Sequence, residues 1–305
     1  MNLNPDIGRR IFARTILACC AVLALLLTSC QAGTGAAGAS AELQTIQNKG
    51  SDTIVNLALA WSEEYSQIHP DTQIAVTGGG SGTGIAALIN NTVDLANASR
   101  AMKPVEIEQA LANGMEPIEH VIAGDAIAIV VNLDNPIDQI TIAQLSAIFT
   151  GQIRNWSELG GDDRPIVTLS RETNSGTHVY FLERVIRDGD KENDLIFSRD
   201  TLLMPSSEGI SNEIRRNPNA IGYDGLGYVT DDQKVLAVAE SDAGPYVLPS
   251  VETVQGGTYP ISRPLFMYTA GEPTGAVKEY LDWIQSSEAQ EIVIRLGFVP
   301  LTGGE

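Results

Sequence analysis

The sequence predicts an α/β protein built from two lobes. Short apolar strands alternate with helical patterns along most of the 305 residues, which is typical of mixed α/β folds. One segment leaves the first α/β unit, builds a second and returns near the end, so two crossover strands would join the lobes. We expect residues 43–128 and 264–305 to form lobe 1 and residues 129–263 to form lobe 2. Ligands of open α/β sheets bind at the carboxyl ends of strands, here in the cleft between the lobes.

Hydrophobic periodicity places the elements in order. From Ile54 to Ile68, apolar residues recur at i, i+4, i+7, i+11 and i+14, which is the spacing of one helix face. Pro104 in a first turn and Gly114 after a last turn delimit another helix. Strands are predicted at residues 43–48, 73–77, 94–98, 126–131, 166–170 and 264–268. Helices are predicted at residues 54–68, 82–91, 104–114, 141–149, 175–187, 208–216, 275–285 and 288–296.

The N-terminal segment has the pattern of a lipoprotein signal peptide. Arginines precede an unbroken apolar run of 12 residues at positions 16–27, which is too short for a bilayer span of about 20 residues. The run ends in Leu27-Thr28-Ser29-Cys30, which resembles a lipobox. The alternative is an ordinary signal peptide with an unrelated cysteine. We predict a signal peptide at residues 1–29, lipidation of Cys30, and a flexible linker at residues 30–42 that is rich in Gly, Ala, Ser and Thr.

The predicted mature chain is strongly acidic and has one cysteine. Cys19 and Cys20 lie in the signal peptide, so Cys30 has no partner for an internal disulfide. Removal of residues 1–29 leaves 16 basic and 37 acidic residues, a formal net charge of −21. Such a surface repels nucleic acid and anionic lipid. Long-range repulsion would also act on an anionic ligand, whereas local dipoles and one or two arginines govern a buried site.

Four loops share one format, in which a strand is followed by a tight turn rich in Gly, Ser and Thr. Three of them lead into helix N-termini, where free N–H groups and the helix dipole attract anions. Any one of these loops is explained by plain helix capping. Four such loops on two lobes, two of them with an arginine, favour one convergent anion site. The loops are residues 50–53, 78–84, 98–100 and 171–177.

Other interpretations of the glycine-rich loop fail in detail. A P-loop needs Lys after its last glycine, but Ile85 follows Gly84. A nucleophile elbow needs glycine two positions after its serine, but Thr83 stands there. Residues 82–87 loosely match the dinucleotide pattern without an acidic residue about 20 positions further on.

The histidines show no metal-binding pattern. No two of His69, His120 and His178 lie at i, i+3 or i+4, and no cysteine pair accompanies them, so we predict no transition-metal site. His120 is expected to be a hydrogen-bonded strand residue. His178 follows the fourth loop and is expected to be structural, with a ligand contact as the alternative.

At these loops the sequence resembles the phosphate-specific periplasmic binding proteins of ABC transporters, which have the type II periplasmic-binding fold. The resemblance runs from about Gln47 to Leu301 and is specific, because several unrelated stretches agree in order. Beyond the loops it rests on Ile148-Phe149-Thr150-Gly151 with Asn155-Trp156, Ala220-Ile221-Gly222-Tyr223, Tyr259-Pro260-Ile261-Ser262-Arg263-Pro264-Leu265 and Gly297-Phe298-Val299-Pro300-Leu301.

The resemblance implies a phosphate site at the four loops. Arg171 and the Ser-Gly-Thr sequence after it match the loop of the second lobe in full, and Ser81 matches the serine of the glycine-rich loop. The predicted ligand-binding residues are Ser51, Asp52, Thr53, Ser81, Ser99, Arg100, Arg171, Ser175, Gly176 and Thr177.

Two positions depart from the best-known members of the family. Asp52 stands where they have Thr, and Arg100 follows Ser99 where they have Asp. The family's Asp accepts the proton of hydrogen phosphate. We hypothesise that Asp52 has taken over this role and that Arg100 neutralises the added charge. The alternative is that Asp52 only caps the helix that follows. Asp125 and Asp224 are the next candidates for the acceptor.

The predicted function is binding of inorganic phosphate outside the cytoplasmic membrane and its delivery to an ABC importer. The protein would be a monomer without enzymatic activity, cofactor, metal or nucleic-acid partner. The lipid would anchor it at the outer face of the cytoplasmic membrane, beside a permease and its cytoplasmic ATPase. The alternatives are a binding protein for another oxyanion, such as sulfate or molybdate, and a secreted phosphatase-like hydrolase.

Lipidation at Cys30 is directly testable. Labelled palmitate should enter the wild-type protein but not Cys30→Ser, because only the thiol can accept the lipid. The variant should bind its ligand normally, since the predicted site lies beyond the linker. Equal labelling of both proteins would contradict the assignment.

Overall fold

The computed structural model describes residues 43–301. The predicted signal peptide, Cys30 and the linker lie outside the described residues. Within residues 43–301, no helix combines the length and the apolar composition needed to cross a membrane.

Ten strands and nine α-helices are formed within the described part of the chain. The strands are β1 (Gln44–Gly50), β2 (Thr72–Thr77), β3 (Leu95–Ala98), β4 (Pro117–Val131), β5 (Gln139–Thr141), β6 (Val167–Arg171), β7 (Leu202–Met204), β8 (Ala220–Gly225), β9 (Lys234–Ala239) and β10 (Ser262–Ala270). The helices are α1 (Asp52–Ile68), α2 (Ser81–Ile89), α3 (Pro104–Ala112), α4 (Ile142–Phe149), α5 (Gly176–Phe181), α6 (Ser207–Arg216), α7 (Val251–Gln255), α8 (Gly275–Ile284) and α9 (Ser287–Arg295). Short 3₁₀ helices lie at Trp156–Leu159 and Leu226–Tyr228, and a π-helical segment at Leu182–Ile186.

The strands follow the order β2-β1-β3-β10-β4-β8-β6-β7, and β9 pairs with both β4 and β5. On one side, β1 pairs in parallel with β2 and β3. On the other side, β6 pairs in parallel with β7 and β8. The long strand β4 lies between them, antiparallel to β10 along its first part and to β8 along residues 127–131. Strands β4 and β10 therefore connect two parallel groups.

The hydrophobic core separates along the chain in the same way. Two clusters draw their buried residues from 46–123 and 265–298. Two others draw theirs from 126–261. We call the parts around these two pairs of clusters the first lobe and the second lobe. The exact residues at which the lobes divide within β4 and β10 stay a prediction.

Most of the predicted elements are present, but the first half of β4 was missed. Only residues 126–131 were expected to be extended, whereas β4 begins at Pro117. Gly124 and Asp125 suggest a loop by sequence alone. In the structure Asp125 is fully buried and paired with Arg263 of β10, a contact that no local pattern reveals. Strands β5, β7, β8 and β9 were not assigned, and the helix predicted at residues 175–187 changes from α to π geometry after Phe181.

Candidate functional site

The four predicted loops meet between the lobes because they follow the carboxyl ends of parallel strands. Strands β1, β2 and β3 end together in the first lobe, and β6, β7 and β8 end together in the second. Parallel strands present their carboxyl ends at one sheet edge, where ligands of such folds bind. The residues that close these strands are Gly50, Thr77, Ala98, Arg171, Met204 and Gly225.

Three buried serines of the first lobe form a connected group, which we call the serine cluster: Ser51, Ser81 and Ser99. The Ser51 hydroxyl donates to Ser99 Oγ at 2.9 Å, and Ser81 Oγ lies 3.3 Å from Ser99 Oγ. The Ser99 amide donates to Ser81 Oγ at 3.0 Å. Ser51 is the N-cap residue of α1 but makes no side-chain capping bond. Its hydroxyl is therefore turned to the cluster.

Gly50 is what allows β1 and β3 to approach so closely. Its φ is +146°, and a Cβ at this position would lie 2.1 Å from the Asn97 carbonyl oxygen. The Ser51 amide donates to that same oxygen at 2.8 Å. A side chain at position 50 would push the loops apart and separate Ser51 from Ser99.

The second lobe places its Ser-Gly-Thr loop directly against the serine cluster. Ser175 caps α5, with its Oγ accepting from the Thr177 amide at 3.2 Å. A Cβ on Gly176 would lie 2.4 Å from Ser81 Oγ and 2.5 Å from Ser99 Oγ. The glycine therefore lets backbone of one lobe face hydroxyls of the other at close range.

Direct hydrogen bonds join the two lobes around these residues. Thr53 Oγ1 and Thr177 Oγ1 lie 2.7 Å apart, both buried. The Asn174 side-chain amide donates to the Gly79 carbonyl at 2.9 Å, and the Gly82 amide donates to the Asn174 carbonyl at 3.0 Å. The loops predicted from sequence to share one site are thus in contact.

Arg171 is the most buried arginine of the site, with 1% of its surface exposed. Its Nη1 donates to Ser207 Oγ at 2.9 Å and its Nη2 to the Pro205 carbonyl at 3.1 Å. Nη2 also lies 3.3 Å from Asp52 Oδ2. Nε is buried without a hydrogen-bond partner.

Asp52 neither caps its own helix nor pairs with Arg100. It is the first residue of α1, and its Oδ2 accepts from the Ser207 amide at 2.9 Å, at the start of α6 in the second lobe. Its backbone carbonyl accepts from the Tyr228 hydroxyl at 2.7 Å. Asp52 is therefore a bridge between lobes, which the sequence did not suggest.

Arg100 is paired with a carboxylate other than Asp52. Its two Nη atoms donate to the two carboxylate oxygens of Glu106 at 2.7 and 2.6 Å, and Nη1 also donates to the Ala101 carbonyl. This pairing lowers the pKa of Glu106 against the effect of its burial. The cation that faces Asp52 is Arg171, so the expectation that Arg100 neutralises Asp52 was wrong.

Arg263 and Asp125 form a buried ion pair that was not predicted, although Asp125 was a candidate for the proton acceptor. Nε and Nη2 of Arg263 donate to Asp125 Oδ2 at 3.2 and 2.9 Å. Nη1 donates to the Ser99 carbonyl at 2.8 Å, and Nη2 to Thr177 Oγ1 at 2.9 Å. Arg263 thereby holds one loop from each lobe. The sequence did hold one indication of this pair: Arg263 is the single charged residue of the otherwise uncharged strand β10, so a buried partner could be expected.

Asp224, at the end of β8, is a second buried carboxyl group beside Asp125 and has 1% exposure. Its Oδ1 accepts from the Gly225 amide at 2.9 Å, whereas Oδ2 has no partner. Burial raises the pKa of Asp224 to about 7, although Ser207 and the charge of Arg171 lower it. The side chain of Asp224 is therefore protonated and uncharged over much of the acidic pH range.

The histidines take structural positions. His178 Nδ1 lies 3.0 Å from Ser170 Oγ, its ring stacks on Phe197, and burial lowers its pKa. His120 lies in β4 and contacts Thr269 Oγ1 at 2.9 Å. Among residues 43–301, no group of three or more His, Cys, Asp or Glu side chains is arranged to hold a metal ion.

A family model and the similar proteins of known name point to the same family. A family model described as the PBP superfamily domain matches residues 35–288. The phosphate-binding protein PstS of Pseudomonas aeruginosa is 32% identical over 306 residues, covering 90% of this chain and 93% of that protein. PstS of Bacillus subtilis is 35% identical over 254 residues, covering 83% and 79%.

The same family includes solved structures. A phosphate ABC transporter substrate-binding protein of Clostridium perfringens, crystallised with bound phosphate, is 32% identical and aligns with a TM-score of 0.75. The alignment covers 85% of this chain and 100% of that one. The chain belongs to the PBP superfamily, in the family of the PstS proteins. The two-lobed α/β fold predicted from the sequence is that of these PBP-superfamily structures and is confirmed.

The raised pKa of Asp224 predicts how the stability of this PBP-superfamily protein depends on pH. The folded state keeps the proton up to pH about 7, whereas an unfolded Asp releases it near its ordinary pKa of 3.8. Between these values the folded state binds more protons, so rising pH costs the wild type up to about 1.4 kcal/mol per pH unit. Asp224→Asn is neutral throughout and lacks this loss.

Urea unfolding at pH 5 and pH 8 tests this. The free energy of unfolding of Asp224→Asn relative to the wild type should rise toward pH 8. The exposed Asp242→Asn serves as the control and should show no such rise. If Asp224→Asn differs from the wild type by the same free energy at both pH values, the prediction is contradicted.

Proposed function

We propose that the protein binds inorganic phosphate in the cleft between its lobes and delivers it to an ABC importer. The observation that carries this proposal is a buried arginine, Arg171, in the lobe whose Ser-Gly-Thr loop meets the serine cluster of the other lobe. The relatives of the chain are named phosphate-binding proteins. One of these relatives was crystallised with phosphate.

The donors suit a tetrahedral oxyanion. Hydroxyl groups of the serine cluster face Ser175, Gly176 and Thr177 of the other lobe, and each hydroxyl can redirect its proton from a neighbouring oxygen to the ligand. Arg171 adds a planar guanidinium that can hold two oxygens of one anion. Because the donors come from both lobes and the lobes are in contact here, hinge opening would admit the ligand and closure would complete the site around it.

An anion can approach this protein despite its negative net charge, because positive side chains are concentrated around the cleft. A cavity of about 700 Å³ opens between the lobes beside Arg263 and Tyr180. Its lining carries six Lys or Arg side chains and two carboxylates, Glu183 and Asp190, which is an excess of positive charge. The six are Arg100, Lys103, Arg184, Arg187, Lys191 and Arg263. A cleft lined with cations raises the local concentration of anions even on a protein of opposite net charge.

A binding role without catalysis is favoured over a hydrolase. The described part of the chain does contain a Ser-His contact, between Ser170 and His178. Ser170 is fully buried and also bonds the Tyr223 hydroxyl at 2.6 Å, so no substrate reaches it. Sulfate or molybdate as the ligand is disfavoured by the names of the relatives.

The cellular setting follows from the same proposal. The protein would be an exported monomer, held by a lipid on Cys30 at the outer face of the cytoplasmic membrane. Its partners would be a permease and a cytoplasmic ATPase. The support is the lipobox-like run at residues 27–30 and the similarity to the C. perfringens protein, a substrate-binding protein of a phosphate ABC transporter.

Arg171 should be the most costly residue of the site to remove. Arg171→Ala leaves the anion without its main countercharge in a closed cleft, which should cost about 2–5 kcal/mol of phosphate binding. Arg171→Lys restores the charge but not the two-pronged geometry, so it should rescue binding only in part. Calorimetric titration with phosphate measures both effects.

The exposed Arg164→Ala provides the control for loss of one positive charge, and circular dichroism establishes that the variants fold. If Arg171→Ala binds phosphate within a factor of three of the wild type, the site has been misplaced.

A further inference from the structure

Asp52 occupies two donors of the second lobe that an anionic ligand would use. Its Oδ2 accepts from the Ser207 amide at 2.9 Å and lies 3.3 Å from Arg171 Nη2. Asp52 itself belongs to α1 of the first lobe. The carboxylate thus reaches across the cleft to the opposite wall.

These two donors form a ready anion site. Ser207 is the first residue of α6, a helix of ten residues whose N-cap is Ser206. Ser206 Oγ accepts from the Gly209 amide, so the Ser207 amide is left for another acceptor. A free helix amide beside a guanidinium binds an oxyanion through charge-assisted hydrogen bonds. Asp52 Oδ2 accepts from the amide and forms an ion pair with the guanidinium.

The contact between Asp52 and Arg171 matters because few buried cations are available to a ligand. The two most buried guanidinium groups near the loops, those of Arg171 and Arg263, lie close to carboxyl groups from three elements. Asp125 of β4 holds Arg263, and Asp224 of β8 has no cation within salt-bridge distance among the described residues. Arg171 is therefore the cation left for a ligand, and Asp52 is the carboxylate that lies on it. A dianion beside Arg171 would meet a like charge within a few ångströms.

We propose that the Asp52 carboxylate is a tethered competitor of the ligand, which must displace it from Arg171 and the Ser207 amide in order to bind. The inference rests on the proposed phosphate site and assigns Asp52 a role opposite to that of a proton acceptor. A competitor lowers the affinity for every oxyanion that uses Arg171. A proton acceptor would strengthen the binding of hydrogen phosphate alone.

Asp52→Asn separates these roles. Asn keeps an oxygen that can accept from the Ser207 amide and removes the charge. Phosphate should bind about tenfold more tightly to the variant, because one charge-assisted contact no longer has to be broken. Sulfate should gain by a similar factor, so the ratio of the two affinities stays the same. Calorimetric titration with each anion provides the measurement.

Two further variants sharpen the test. Asp52→Thr removes the charge with a different side chain and should also tighten binding, which guards against a folding defect in one variant. Glu63→Gln removes the same charge from the exposed face of the same helix and should leave affinity unchanged. An equal gain in Glu63→Gln would show general repulsion and overturn the proposal.

The remaining outcomes are decisive. Phosphate affinity that is unchanged or lower in Asp52→Asn overturns the competitor role, and a loss confined to phosphate makes Asp52 the proton acceptor. In either case the wild type still binds phosphate and the proposed function stands. If neither folded protein binds phosphate, the proposed function itself fails and the inference with it.

Discussion

The buried pair of Arg263 and Asp125 holds together the part of the molecule on which the cleft depends. The two residues face each other across β10 and β4, the strands that connect the lobes. The same guanidinium donates to the Ser99 carbonyl of the first lobe and to Thr177 of the second, and it lies over the ring of Tyr180 at 5.3 Å. Removing one partner of such a pair leaves an uncompensated buried charge, which typically costs about 3–5 kcal/mol. Arg263 thus fixes the positions of the loops at Ser99 and Thr177 relative to β4 and β10.

Around this pair, an acidic protein builds a site for an anion by local arrangement. Bulk net charge acts over long distances and is screened by salt, whereas a buried guanidinium or amide acts at contact distance. Arg171 and the serine cluster supply such donors. Asp52 lies on Arg171, and Asp224 is a second carboxyl group near Arg171 whose pKa burial raises to about 7. Opposite charges inside the protein are thus arranged contact by contact, independently of the net charge of the surface.

Several local features were readable because they depend on neighbours in the chain. The apolar spacing from Ile54 to Ile68 predicts α1, and the loops at residues 78–84 and 171–177 were recognisable by their glycines and hydroxyls. That Ser81 and Ser99 of the first lobe would meet also follows from the rule that parallel strands end at one edge. The first half of β4 was not readable, because Asp125 in mid-strand is stable only with Arg263, 138 positions away.

The sequence by itself determined the fold class, the loops that surround the cleft and the hydroxyl donors in them, because strand period, helix period and turn chemistry are local properties. Only the tertiary structure decided which charges are partners. Arg100 pairs with nearby Glu106, while Arg171 pairs with Asp52 of the other lobe. The physical reason is that an ion pair needs two side chains within about 4 Å, and the distance between residues far apart in the chain is set by the packing of whole lobes.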